Sequence, residues 1–452
     1  KYHNISIHFS PQLRWHNNAT ALTMKPFLLL SSLLASSALG SNLSTKVYGK
    51  PAGFAYSVTG GGNTTPAVPA NVAQLLDWLT DSKPRVIVLD NEYNFIGNEG
   101  YCENCACCVF NTDTCGDGGQ DAIETDFGWC GDRTPVDCTY PNTTTIDVAS
   151  NKTIVRLGAK GVIRGSGLRL VNGALNVIVQ NIHITNINPG YVWGGDGIYM
   201  NGCDLIWIDH VKISLVGRQM ISMGYESSGR VTIPDTEFDG RTDHSSTCDG
   251  HHYWTILGLG ENDKVSFFNN WIHHTSGRSP DLGSVSAWHI FNNYWSNNTG
   301  HAFSVTPEPA ILLEGNVFHD VARPTEPGNG YGMFITNSST VTTCDSAMKR
   351  PCQENLLTGS GDLSPYTTNN VTSLQTIADA DEQNINIMPV SQVRANVLAN
   401  AGIGKVGFNS TVTPTVSTSS SVMTPPATVA PYQAHKDNSH GHQYVRFHHR
   451  RP

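Results

Sequence analysis

Val265-Ser266-Phe267-Phe268-Asn269-Asn270, His289-Ile290-Phe291-Asn292-Asn293 and Leu312-Leu313-Glu314-Gly315-Asn316 share one plan, a short strand-like run broken by Asn or Gly. Asn269, Asn292 and Gly315 recur at intervals of 23 residues. Asn and Gly tolerate the left-handed backbone of a sharp turn, whereas β-branched and aromatic residues suit the pleated surface between turns. Val177–Ile182, Leu205–His210 and Val231–Asp235 repeat the plan less evenly. One strand and one turn signal per repeat predict an all-β fold, a single-stranded right-handed parallel β-helix whose coils bury their inward side chains only by stacking. A leucine-rich repeat shares the period, but its fixed Leu spacing and paired helices are absent. A β-sandwich would place hairpin turns at closer intervals. Upstream, Ala70–Leu79 reads as an amphipathic helix suited to cap the amino-terminal end of the coil, where exposed strand edges need a cover.

The chain of 452 residues is expected to hold one large domain, residues 41–410, since a repetitive β architecture can carry about 250 residues or more as one unit. Met24-Lys25-Pro26-Phe27-Leu28-Leu29-Leu30 and the Ser, Leu and Ala residues up to Gly40 have the charged start, short apolar run and small-residue exit of a secretory signal, residues 24–40. That run is too short and too Ser-rich to span a membrane. A signal begins at its initiator, so residues 1–23 are expected to be non-native upstream sequence. From about Ser410 the chain turns Thr, Ser, Pro and Val rich, and residues 411–452 are expected to form a disordered tail. The tail carries His435, His440, His442, His448 and His449, for which composition favours a solvated terminus over a metal site.

Asp, Glu, Lys and Arg make up 14% of the chain, below the roughly 25% of an average soluble protein. The formal charge of −9, with no basic stripe in the central region, argues against nucleic acid and disfavours a densely acidic polysaccharide. A neutral, esterified polymer meets no such repulsion. Sequons at Asn42, Asn63, Asn142, Asn151, Asn297, Asn337, Asn370 and Asn409 fit a secreted glycoprotein.

A secreted chain folds in an oxidising compartment. Five of the eleven cysteines crowd into Cys102, Cys105, Cys107, Cys108 and Cys115, with Cys130 and Cys138 close behind. His partners at zinc-ligand spacing are missing there, so a disulfide-stapled loop is expected. An odd count leaves at least one cysteine over, and Cys203, in a strand-like run, is the candidate for a buried free thiol.

Three segments carry the candidate chemistry: Trp193-Gly194-Gly195-Asp196, Gly217-Arg218-Gln219 and His274-Thr275-Ser276-Gly277-Arg278-Ser279-Pro280. Asp196 and Arg218 are 22 positions apart, close to one coil, so they should sit on neighbouring rungs of one face, about 4.8 Å apart. On spacing alone such a pair also fits a surface ion pair that fixes coil register.

These three segments resemble the cleft of the pectin lyases, secreted fungal-type members of the polysaccharide lyases that include the pectate lyases. The resemblance runs from about Gly53 to about Gly404 and is densest between Asn181 and Phe318. It implies cleavage of methyl-esterified galacturonan by β-elimination within the polymer, outside the cell and without a cofactor; a monomer is expected. In the resembling pectate lyases, acidic residues on this face hold calcium, and a hard cation of that kind needs six or more oxygens. Arg218 stands where the resemblance places one of those ligands, so the expectation is a catalytic set of Arg278, Arg218 and Asp196 with no metal. Arg278 is the candidate base, which requires burial and nearby positive charge such as Arg218 to disfavour its protonated form. An Arg278 that stays charged and only stabilises the enolate is the other reading. Trp193, Trp254, Tyr253 and Trp129 match aromatic positions that line the cleft and are expected to bind substrate.

The resemblance also implies pairing of Cys115 with Cys248, Cys344 with Cys352 and Cys130 with one of the earlier cluster. Many pectin lyases carry a basic residue three positions after the catalytic arginine. This chain has Asp281 there, a carboxylate able to pair with Arg278 or to repel partly de-esterified substrate. The polygalacturonases share the coil but hydrolyse with clustered aspartates, and their adjacent Asp-Asp is missing here.

Overall fold

The structure is a computed structural model that describes residues 47–406 apart from 98–99, 111–114, 116–117, 121, 125–133, 142–143, 157–159, 193, 327–331 and 364–368. The upstream segment 1–23, the signal 24–40, the tail 411–452, Trp129, Cys130, Trp193 and the sequons Asn42, Asn142 and Asn409 lie outside the described residues.

Strand lies beside strand in parallel, and their register gives the length of each coil. Ser266 pairs with His289, His289 with Leu312 and Leu312 with Phe334, offsets of 23, 23 and 22 residues. Earlier coils are longer: Val179 pairs with Ile208 across 29 residues and Thr232 with Ser266 across 34. The surplus lies between strands, in 188–192, 194–197 and 240–255.

The turn signals act as their residue types dictate. Asn181, His210, Asp235, Asn269, Asn292 and Gly315 follow strands on successive coils, and all have φ between 47° and 62°. The residue after each of the later three is a buried asparagine: Asn270, Asn293 and Asn316. Each side-chain amide donates to the carboxamide oxygen one coil on, from Asn270 to Asn293 to Asn316 to Asn355, at 3.0 Å every time. A buried amide left unpaired costs about 1–3 kcal/mol, so this ladder is favourable only when all its members are present.

The interior is a column of stacked apolar side chains. Val231, Val265, Trp288, Ile311 and Met333 share one register position and the same core. Trp295 stacks on Phe318 with ring centroids 4.9 Å apart. Helix α1 (Val72–Thr80) closes the amino-terminal end, with Leu75 and Leu79 buried and the Asn71 side chain accepting from the Gln74 N–H at 2.9 Å. Three further helices, α2 (Val341–Met348), α3 (Val371–Ala378) and α4 (Val390–Asn400), pack outside the coil. Leu374 and Ile377 of α3 cover the outward residues Ala287, Leu312 and Phe334, while Val393 and Val397 of α4 cover Tyr294 and Val317.

Disulfides join Cys115 to Cys248 and Cys344 to Cys352, as the resemblance implied, and Cys102 to Cys105. Cys107 and Cys108 are also disulfide-bonded, so these thiols are not available as zinc ligands. The cysteine-rich segment folds as a small antiparallel sheet of Tyr101–Phe110 between Ala122–Glu124 and Val136–Pro141. Cys203 is a buried free thiol whose burial pushes its pKa up to about 12, which makes it unreactive. Of the described sequons, Asn63 and Asn297 are exposed, whereas the side-chain oxygens of Asn151, Asn337 and Asn370 accept hydrogen bonds. Among the described residues no helix is long and apolar enough to cross a membrane.

Candidate active site

Backbone hydrogen bonds place the candidate residues on successive coils. The Arg218 N–H donates to the Gly195 carbonyl at 3.0 Å, and the Gln219 N–H donates to Asp196 Oδ1 at 2.9 Å. Asp196 and Arg218 are therefore neighbours across one rung, as their spacing requires. The next coil brings Trp254 and Thr255, whose carbonyl accepts from the Met220 N–H at 2.9 Å. Ile256 then donates to the Arg278 carbonyl at 2.6 Å, and the Arg278 N–H donates to His301 Nε2 at 3.3 Å. Asp196, Arg218, Trp254, Arg278 and His301 thus form a stripe across five coils.

Trp254 joins the two arginines. The guanidinium carbon of Arg278 lies 4.9 Å from its ring centroid and that of Arg218 lies 5.7 Å from it. A guanidinium within about 6 Å of an aromatic face is held by the ring quadrupole. Trp254 is only 9% exposed, so its contacts are chiefly with protein. Tyr253 is half-buried, packs edge-on to Trp254 at 4.9 Å and to His301 at 5.8 Å, and lies against Gly277. A Cβ at Gly277 would stand 2.4 Å from the Tyr253 ring, so a larger residue before Arg278 displaces that ring.

The electrostatics follow from burial and neighbours. Burial pushes the Asp196 carboxyl up, against the pull of Arg218 and the hydrogen bonds from Gln219 and Ser222. Asp281 Oδ2 lies 3.2 Å from Arg278 Nε, the pairing that its position three residues on made possible. Burial pushes the Asp281 carboxyl up as well; Arg278 opposes this and Glu326 adds to it. Arg278 has φ +44°, a costly conformation for a non-glycine residue. Its Nη1 is buried and makes no hydrogen bond within the protein.

Two neutral histidines support the stripe. His252 Nε2 lies 2.7 Å from the Arg218 carbonyl and 2.9 Å from that of Trp254, so this nitrogen carries the proton; burial holds the pKa down at about 4. Burial, aided by Arg323 and Arg278 and opposed by Glu326, also lowers His301 to about 4 and keeps Nε2 free to accept from Arg278. Neither residue was singled out in the sequence, nor was Gln120, which reaches Trp254 from the cysteine-rich segment. His252 adjoins Tyr253 and Trp254 in sequence, but only the loop geometry shows its partners.

Among the described residues, three groups place metal-ligating atoms close together: Glu314, Cys344 and Cys352; Asp209, His210 and Asp235; and Glu237, Asp239 and His273. None includes a residue of the stripe. In the first the cysteines form a disulfide, and in the third Lys212 occupies both carboxylates at 2.8 Å.

A family model described as pectate lyase matches residues 138–406. A probable pectin lyase F-2 of Aspergillus terreus is 53% identical over 383 residues, covering 84% of this chain and 79% of that protein. A probable pectin lyase F of Emericella nidulans is 52% identical over 383 residues, covering 84% and 81%. Among solved structures, a pectate lyase from Bacillus sp. N165 in complex with trigalacturonate matches with TM-score 0.52 at 17% identity, over 79% of this chain and all of that one. At that identity the match speaks for the fold alone.

Proposed function

From the premise that this chain belongs to the pectate lyase family, we propose that it cleaves methyl-esterified (1→4)-α-D-galacturonan by β-elimination, without calcium and at internal bonds. The observation that carries this reading is the pair of guanidiniums held on one indole ring. The reaction removes the proton from C5, alpha to the C6 carbonyl. The C–H electron pair becomes the C4–C5 double bond as the C4–O4 bond breaks, and the departing oxygen takes up a proton. An ester carbonyl accepts the developing enolate charge more readily than a carboxylate, which would become doubly negative. Cations already in place at that oxygen supply the stabilisation.

In this proposal Arg278 takes the C5 proton, Arg218 holds the enolate oxygen, and Asp196 orients Arg218. A calcium ion does not suit this donor set, because the flanking carboxylates, Asp196 and Asp281, each face a guanidinium and a hard cation needs several free anionic oxygens. Tyr253, with Trp193 and Trp129 outside the described residues, is proposed to contact the sugar, while Trp254 holds the arginines. Coils lie on both sides of the stripe, so a polymer can cross it without presenting an end. The disulfides support work outside the cell. Action as a monomer completes the proposal.

The test is ultraviolet absorbance of the unsaturated product. Highly methylated pectin should yield it equally with and without chelator. Activity confined to polygalacturonate plus calcium would overturn the reading.

Asp281 makes a second, signed prediction. Its carboxylate lies against the Arg278 guanidinium, so Asp281→Lys should move the rising limb of the rate profile to lower pH. The same change should ease use of partly de-esterified pectin by removing a negative charge from the cleft. An unmoved limb together with an unmoved ester preference would take Asp281 out of the site.

A further inference from the structure

Gln120 lies outside the coil in sequence but at the centre of the stripe in space. It is 1% exposed, and its amide is fully used. Nε2 donates to the Pro189 carbonyl at 2.8 Å and to the Gly217 carbonyl at 3.0 Å. Oε1 accepts from Ser246 Oγ at 2.5 Å and from Trp254 Nε1 at 3.2 Å, an indole N–H that Ser246 Oγ also accepts at 3.1 Å, so Gln120 orients the ring both directly and through Ser246. A glutamine amide offers two donors and two acceptor sites, and all four are engaged here. One side chain therefore ties together the loop after His183–Ile187, the peptide that leads into Arg218, and the loop that carries Trp254.

Gln120 is itself held from outside the coil. The Cys115–Cys248 disulfide crosses 133 residues of sequence, and the Ser245 N–H donates to the Gly118 carbonyl at 2.8 Å, so the segment is clamped to the loop 240–255 at Cys115 and at Gly118. We propose that Gln120 is a positioning residue: it sets the orientation of the Trp254 indole and the entry of the chain into Arg218, and through them the separation of the two guanidiniums. The inserted disulfide lobe is then part of the catalytic architecture rather than a surface ornament. This rests on the lyase reading above and adds a residue that touches neither substrate nor the reacting atoms.

The chemistry of the amide gives the test. Gln120→Met fills similar volume with no hydrogen-bonding amide. Turnover on highly methylated pectin should fall about ten- to a hundredfold, since small misplacements of catalytic groups cost that much. KM should stay within about twofold, and the urea unfolding midpoint should change little. Gln120→Glu guards against a Met variant that fails to fold. An ionised carboxylate there repels the carbonyls of Pro189 and Gly217, whereas the protonated acid restores one donor. The ratio of its turnover to wild type should therefore rise as pH falls. A Cys115→Ser/Cys248→Ser double variant should lose turnover in the same sense while the coil stays folded. A flat ratio for the Glu variant, or a loss that follows only the unfolded fraction, would overturn the proposal. Wild type that makes no unsaturated product would instead fail the lyase reading itself.

Discussion

Replacing Arg278 by alanine should lower turnover on methylated pectin by at least about a hundredfold, the usual scale for removing a proton-transfer group and about 2.7 kcal/mol of barrier. The surroundings of Arg278 fit the proposed role. Its backbone is held in a left-handed conformation by the hydrogen bond to His301, its guanidinium lies over Trp254, and one of its nitrogens is buried with no protein acceptor. A buried donor with no acceptor is costly unless a ligand supplies one. Alanine also leaves Asp281 without its partner; burial pushes that carboxyl up and Arg278 opposes the rise, so in the variant it can take up a proton and the fold should tolerate the loss. Retention of most activity would remove Arg278 from the chemistry. Arg278→Lys then separates its two possible roles. Free lysine gives up its proton about two pH units below free arginine, so a residue that acts as base should carry the rising limb to lower pH when it becomes lysine. A residue that only stabilises the enolate should leave the limb where it is.

The coil could be read from the chain because its signals are local and periodic. Asn269, Asn292 and Gly315 stand 23 residues apart because each must turn the backbone with positive φ at the same corner. Asp196 and Arg218 were legible for the same reason, since a separation of one coil puts two residues on neighbouring rungs. The second asparagine of each pair, at 270 and 293, does different work. It builds the internal ladder, which appears only once the coils are stacked. Helices α2 to α4 are not legible in that period: each is short, and the residues they cover, Leu312 and Phe334 among them, alternate along strands like residues that face solvent. Gln120 and His301 reach the stripe through tertiary contacts that no spacing encodes.

The largest effect on stability should come from His289. This imidazole is fully buried, with Nε2 2.9 Å from Glu314 Oε1 and Nδ1 2.6 Å from Glu382 Oε2. Arg350 pairs with Glu314, and Ser266 Oγ donates to Glu382 at 2.5 Å. Two acids and two cations thus lock the carboxy-terminal segment onto the coil. Burial opposes charge on His289, but the two carboxylates outweigh it and raise the group to about 9. The lowering of Glu314 by His289 is the same contact seen from the other side and adds nothing separate. A group raised on folding contributes stability in full below its unfolded value, near 6.5, and loses it as pH climbs through the folded value. The rise to about 9 corresponds to on the order of 3 kcal/mol, in line with the roughly 3–5 kcal/mol lost when one partner of a buried pair is removed. His289→Gln should therefore lower the urea midpoint at pH 7. The difference between wild type and variant should then shrink from pH 7 to pH 10, because wild type loses its imidazolium while the variant has none to lose. A variant as stable as wild type at pH 7, or a difference that stays constant across that range, would show that His289 is not the charged centre of this network.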